Sequence, residues 1–315
     1  MKKIIFAMFL LATVAVACSN NDNDNPKNDS NKLKYLPGTI YYKWADEGIF
    51  KIDLPTAKQS LFLKSSTQRN HWDVSWDNQF VLECTDVVGD GDASQFTLSK
   101  ISDGTIVKQF KYYATDGDIA TGTLSPNGKM IAINPTFKDG IVIVDLDGNV
   151  IETMLSIDNT KLSKNPVWMP GNTLLIPHNQ SLLKTHATFT EVSTIKEFDF
   201  QAWGSPAVSK NGSKIVFAAS KHIWTMNADG TNMKQITSSS NAEVLPSFSP
   251  DGKFLLVGTN YHVTGLFGGI SYLKVIPADG NQYNVDDAEE SEGVIPVHLP
   301  GKSQMETSDG WVMWR

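Results

Sequence analysis

Arginine is nearly missing from this chain: Arg69 and Arg315 are the only two among 315 residues, and the formal net charge is −7. Affinity for phosphate backbones rests on clustered lysine and arginine, so nucleic acid and other polyanions are excluded as partners. Cysteine is as scarce, with Cys18 and Cys84 alone. No disulfide framework is available to such a chain, and Cys84 reads as a small buried hydrophobe on a strand. The apolar run Ile4–Ala17 is too short to span a bilayer as a stable helix. Two catalytic signatures are also absent, the Gly-x-Ser-x-Gly elbow and the His-Glu-x-x-His helix. The six histidines (71, 178, 186, 222, 262, 298) are scattered along the chain. No enzyme activity, no catalytic residue and no cofactor is expected.

What the chain does contain is a repeat. Ser-Pro-Ala-Val-Ser-Lys-Asn-Gly (205–212) is followed by apolar runs at Ser213–Ala219 and His222–Asn227, a turn at Ala228-Asp229-Gly230, and another run at Met233–Thr237. The cycle restarts at Pro-Ser-Phe-Ser-Pro-Asp-Gly-Lys (246–253), so that Gly252 lies 40 positions beyond Gly212. In Ser249-Pro250-Asp251-Gly252 the proline presets φ, the aspartate bonds to nearby backbone and the glycine takes φ > 0. A unit of about 40 residues made of four short strands is what a propeller blade looks like in sequence.

Asp-Gly turns after the third strand recur at Asp103-Gly104, Asp147-Gly148, Asp229-Gly230 and Asp279-Gly280, and a degenerate unit fills the double gap before the third. Five complete blades follow, roughly 71–110, 119–155, 164–198, 203–238 and 244–299. The N-terminal piece supplies three more strands, Thr39–Trp44, Gly48–Leu54 and Ser60–Lys64. The C-terminal piece supplies a fourth, either Met305–Ser308 or Trp311–Trp314, which periodicity leaves open. The expected fold is all-β, a six-bladed β-propeller of four-stranded antiparallel blades over 35–315, its ring closed by N- and C-terminal strands in one blade. A monomer is expected.

Lys2 and Lys3 precede the apolar run, which ends at Ala15-Val16-Ala17-Cys18. Residues 1–18 thus read as an export segment, and its end resembles a bacterial lipoprotein lipobox, which implies lipidation of Cys18 and attachment to a membrane through that lipid. Residues 19–34 read as a disordered tether. Its Asn/Asp-rich start resembles export signals on surface lipoproteins of Bacteroidetes-like bacteria, which implies an outer-membrane lipoprotein on the cell surface or the periplasmic face.

The Ser-Pro-Asp/Asn-Gly-Lys repeats and the run Ile-Trp-Thr-Met-Asn-Ala-Asp-Gly-Thr (223–231) resemble the WD40-like repeats of the TolB-type six-bladed β-propeller, with the best matches over 123–148 and 205–257. The Gly-His and Trp-Asp dipeptides of the WD-repeat propeller proper do not recur at the right spacing. The resemblance implies a docking platform, a sugar-binding module or, in a minority of cases, an enzyme. A uronate-lyase-like, carbohydrate-active enzyme or a sugar-binding subunit working at the channel mouth is the alternative, set back by the shortage of arginine. A periplasmic envelope component like TolB itself is a further reading, and the family's additional N-terminal α/β domain has no counterpart before Thr39. The leading expectation is a lipid-anchored, non-catalytic platform of the bacterial cell envelope that binds a protein or a glycan.

Long loops on a rigid scaffold are the usual carriers of binding. Second-to-third-strand insertions fall at Asp86–Ser94 and Asn260–Ser271, against only Ser220–His222 in the blade over 203–238. Tyr261, His262 and Phe267 in the longer insert, with His71, Trp72 and Trp203 in links between blades, are the candidate binding residues. The apolar tip at Leu266 and Phe267 reads equally well as a plug on its own blade, and the link aromatics as packing between blades. Asp86, Asp90 and Asp92 resemble the opening of a calcium loop, but Gln95 and Ile101 stand where its glycine and glutamate belong, so no metal is expected. The acidic run Asp286, Asp287, Glu289, Glu290 and Glu292 reads as a solvated loop.

Overall fold

Four turns repeat one piece of side-chain chemistry. Ser75, Ser125, Ser209 and Ser249 are buried, and each hydroxyl donates to the Asx two residues on: Asp77, Asn127, Asn211 and Asp251, at 2.6–2.8 Å. Each also accepts the backbone N–H five residues on, from Phe80, Met130, Lys214 and Phe254, at 2.9–3.0 Å. Gly128, Gly212 and Gly252 close three of these turns with φ between +65° and +72°, and Asn78 closes the fourth at +61°. The turn delivers the chain from the first strand of a blade to the second.

The computed structural model describes residues 30–264, 268–286 and 292–315. Six antiparallel sheets form the ring. Blade two comprises Arg69–Val74, Phe80–Val87, Asp90–Lys100 and Ile106–Tyr113, and blade three Gly122–Leu124, Met130–Ile133, Ile141–Asp145 and Val150–Met154. Blade four comprises Val167–Met169, Thr173–His178, Ser181–Thr185 and Val192–Glu197, and blade five Trp203–Val208, Lys214–Ala219, His222–Asn227 and Lys234–Gln235. Blade six is built on Ala242–Phe248, Phe254–Val263 and Gly269–Pro277. Blade one holds Thr39–Trp44, Gly48–Asp53 and Lys58–Lys64, with Val312–Trp314 added along Thr39–Trp44.

The choice that periodicity left open is thereby settled. Val312–Trp314 closes the ring, with Ile40 opposite Trp314 and Tyr42 opposite Val312. Thr307–Ser308 instead pairs with Ser271–Tyr272 and extends the outer edge of blade six beside Ile295–Pro296. The two candidate segments therefore serve adjacent blades. Between them and the Asp279-Gly280 turn, Tyr283–Asn284 reaches back to pair in parallel with Thr237–Ser238 at the end of blade five.

The core is divided as the strand period demands. Successive side chains on a strand point to opposite sheet faces, and each face meets a different neighbour. Ile215 and Phe217 cluster with blade-four residues such as Leu175 and Leu182, while Val216 clusters with Leu255 and Val257 of blade six. Cys84 is buried between blades two and three. Both faces being covered explains why the strands read as nearly continuous apolar runs.

Two faces result. First and third turns are bonded together on one: Ile101 N–H donates to Gln79 O and Ala228 N–H to Ser213 O. The second-to-third-strand loops meet the interblade links on the other, where Asp86 N–H donates to Gln68 O and Glu243 N–H to Lys221 O. Both insertions lie on this link face and are hairpins rather than irregular loops, laddered through Asp86–Ser94 and through His262–Ile270 and Val263–Gly269. The chain enters on the turn face, where Gly38 lies against Arg315 O and the ring of Pro250. The export segment, Cys18 and most of the tether lie outside the described residues. No helix among the described residues is long and apolar enough to cross a membrane.

The closing blade is clasped by side chains as well as strand pairs. Trp314 Nε1 donates to Pro37 O at 2.7 Å, and Tyr42 OH and Gln59 Nε2 both donate to Glu306, at 2.6 and 2.8 Å. Trp314→Ala, which empties a fully enclosed indole site at this seam, is expected to cost about 3–5 kcal/mol. Urea unfolding of the two proteins measures it, and a loss below about 1 kcal/mol would show that the seam contributes little.

Candidate functional site: the axial channel

The first strands of blades two to six and the closing strand line a channel on the ring axis, with a cavity of about 540 Å³. It reaches the link face through Ser163–Asn165, Asn179, Trp203 and Trp311. Two of its walls are bent by the same device. At Ser205-Pro206 and Leu245-Pro246, 40 residues apart, the first strands of blades five and six carry a bulge. Ser205 and Leu245 stand at φ +50° and +52°. A left-handed residue before proline is doubly disfavoured, at about 1–3 kcal/mol for each strained residue. Both bulges lie on the cavity wall.

The charges in the channel neutralise one another. Asp73 is buried and accepts Leu124 N–H at 2.8 Å, with the Arg315 guanidinium 3.5 Å away. Arg315 also donates from Nε to Val74 O at 2.9 Å and lies over the Trp76 ring at 6.0 Å. Burial pushes the Asp73 carboxyl above its usual range, while Arg315 and the backbone N–H groups pull it partly back. One acid thus ties the neighbouring blades one, two and three together at the channel wall.

Two uncharged polar atoms in the same wall have no partner among the described residues. Asn134, 5% exposed, donates from Nδ2 to Thr121 Oγ1 at 2.8 Å, but its Oδ1 is buried with no hydrogen bond among the described residues. Thr123 Oγ1 is in the same state. Leaving such groups unmade costs about 1–3 kcal/mol apiece. His71 is 6% exposed and sets its ring edge-on to Trp311 at 5.3 Å. Burial pushes its pKa from 6.5 down to about 4, so the imidazole is neutral at pH 7.

Of the residues singled out in the sequence, His71 and Trp203 line the channel. Trp72 does not. Next to His71 on one strand, it points to the other face and packs with Tyr41, Val74 and Met313 between blades one and two. Tyr261 is half-buried against Gly269, and His262 is exposed on the blade-six hairpin; neither touches the channel wall. Phe267 and Leu266 lie outside the described residues, as do Asp287, Glu289 and Glu290. Asp86 accepts from Asn70, whereas Asp90 accepts from Lys111 and Tyr113 at 3.0 Å. No three His, Cys, Asp or Glu among the described residues, Asp92 included, are grouped to hold a metal ion. Thr123, Asn134, Trp311 and Arg315 joined the site only through the fold.

His71 makes stability depend on pH. Above pH 6.5 neither folded nor unfolded chain protonates it. As pH falls from 6.5 toward 4, the unfolded chain binds a proton that the folded chain refuses, so stability falls. The full displacement amounts to about 3 kcal/mol, and the raised Asp73 offsets part of it. His71→Phe is therefore expected to lose less stability than the parent between pH 7 and pH 4.5 in parallel urea titrations; equal losses would mean that the buried imidazole is not the sensor.

No family model matches the chain, and no curated protein matches it in sequence. Solved structures do. TolB from Acinetobacter baumannii superposes with a TM-score of 0.61 at 16% identity, over 89% of this chain and 68% of that one. A putative TolB from Agrobacterium tumefaciens gives 0.57 at 17% identity, over 78% and 87%. A chain of a nidogen/laminin complex gives 0.57 at 11% identity, over 88% and 97%. At these identities the likeness concerns the fold alone, and in that respect the chain is a six-bladed β-propeller similar to that of TolB.

Proposed function

We propose that the chain is a lipid-anchored, non-catalytic platform of the bacterial cell envelope, capturing a protein or glycan partner at the link-face mouth of its channel. The observation that carries this reading is the channel itself. A cavity of about 540 Å³, walled by tryptophan, proline and unpartnered polar atoms, opens among the interblade links. Concave sites of that size with a few convergent polar groups are the usual ligand sites of rigid scaffolds.

The anchoring half is supported by the lipobox-like Ala15-Val16-Ala17-Cys18 after the apolar run. Residues 30–38 run in on the turn face, where Leu33 and Leu36 join the core between blades six and one, so a lipid on Cys18 would be joined to the ring through that face. The non-catalytic half is supported by the state of Asp73, the carboxylate of the channel wall. Oδ2 accepts Leu124 N–H and Oδ1 faces the Arg315 guanidinium, so this buried acid of the wall serves as the counter-ion of Arg315.

Two arms test the proposal in intact cells. A benzophenone side chain at position 311 is expected to yield discrete cross-linked adducts that the same probe at position 229, on the turn face, does not. Cys18→Ser should move the chain from the membrane pellet to the soluble fraction. Equal adducts from both positions would remove the mouth as the binding end, and a variant still in the pellet would remove the lipid.

A further inference from the structure

Taking the channel as the binding end, we propose that what it binds is an uncharged saccharide, stacked on the indoles at the mouth with its hydroxyls on His71, Thr123 and Asn134. The polar atoms point to hydroxyls. Among the described residues, Asn134 Oδ1 and Thr123 Oγ1 are buried on the cavity wall without partners, and no side-chain hydrogen bond engages His71, which is buried. An amide oxygen accepts, a threonine hydroxyl does either, and a neutral imidazole offers one donor and one acceptor. A set of mixed, uncharged donors and acceptors is complementary to a ligand whose groups are likewise mixed and uncharged.

Charge narrows the class further. A cationic ligand would need Asp73, which is already engaged by Leu124 N–H and Arg315. An anionic ligand would need Arg315, which is committed to Val74 O, Asp73 and the Trp76 face. Lys164 is exposed at the rim, where solvent screens it.

The apolar part of the wall suits the flat C–H faces of a sugar ring. Trp203 is held in place by Nε1–H donating to Asn179 O at 3.1 Å and by the Phe198 ring at 4.5 Å. Trp311 is 45% exposed and braced edge-on by His71. Rings fixed before the ligand arrives lose little freedom on binding.

An extended peptide fits less well. Adding a strand to a sheet edge requires a row of free main-chain groups. Here the channel-facing edges are already capped by the next blade: Trp168 Nε1 donates to Thr123 O, Arg315 to Val74 O, Leu124 N–H to Asp73 and Trp314 N–H to Ser247 Oγ.

The test titrates the full-length protein, in a detergent without a sugar headgroup, with neutral mono- to tetrasaccharides of glucose, galactose, mannose and N-acetylglucosamine. Oligogalacturonates and a proline-rich peptide run in parallel, with calorimetry and tryptophan fluorescence as readouts. At least one neutral series should bind one-to-one with a change in emission. Asn134→Ala and Trp311→Ala should each weaken it about tenfold or more, a loss equivalent to at least one good contact. Trp311, being exposed, serves as the variant that keeps its fold if Asn134→Ala does not. Tighter binding of the uronates, undiminished binding in the variants, or no binding by any neutral sugar overturns the proposal. Binding of the peptide alone also overturns it, while leaving the channel as the binding end.

Discussion

The ring stands or falls on one short ladder, Val312–Trp314 along Ile40–Tyr42. Blades two to five are each continuous in sequence and could assemble locally. This ladder joins residues 270 to 274 positions apart, and loop closure over such a span costs entropy that only the finished seam returns. Core clusters lie on both sides of the ladder, one toward blade six and one toward blade two. Without it, two blades would each expose an apolar face, and the first strands would no longer converge on an axis. The channel exists only because the seam does.

The blades were readable because their turns are chemical. A buried serine bonding to an Asx and to the N–H five residues on can be recognised from spacing alone, as at Ser125-Pro126-Asn127-Gly128. Blade six was harder to read at its edge. Its outer strand is built from two fragments, Ile295–Pro296 and Thr307–Ser308, which the chain reaches only after a detour to blade five. No local pattern marks residues whose partners are so far away.

The site was less legible for a geometric reason. Each blade presents only one or two side chains to the axis, so no contiguous motif forms. His71 and Trp203 were visible as link aromatics, but the two-residue period sends Trp72 away from its neighbour. Asn134 sits at the end of a second strand and becomes a wall residue only when the blades close round. One signal did lie in the sequence: Ser205-Pro206 and Leu245-Pro246, prolines inside strands at the repeat spacing. A proline there breaks a ladder, and a break repeated in consecutive blades marks a wall that has been reshaped.

The entry of the chain on the turn face also has a mechanical meaning. Tension applied at residue 30 reaches the ring through Thr39–Trp44, a strand flanked on both sides by Val312–Trp314 and Gly48–Asp53. Its backbone hydrogen bonds lie across the direction of pull and share the load together, instead of opening one after another as they would in an edge strand. A propeller pulled from this end is loaded in shear, with the ladder bonds of the strand sharing the force.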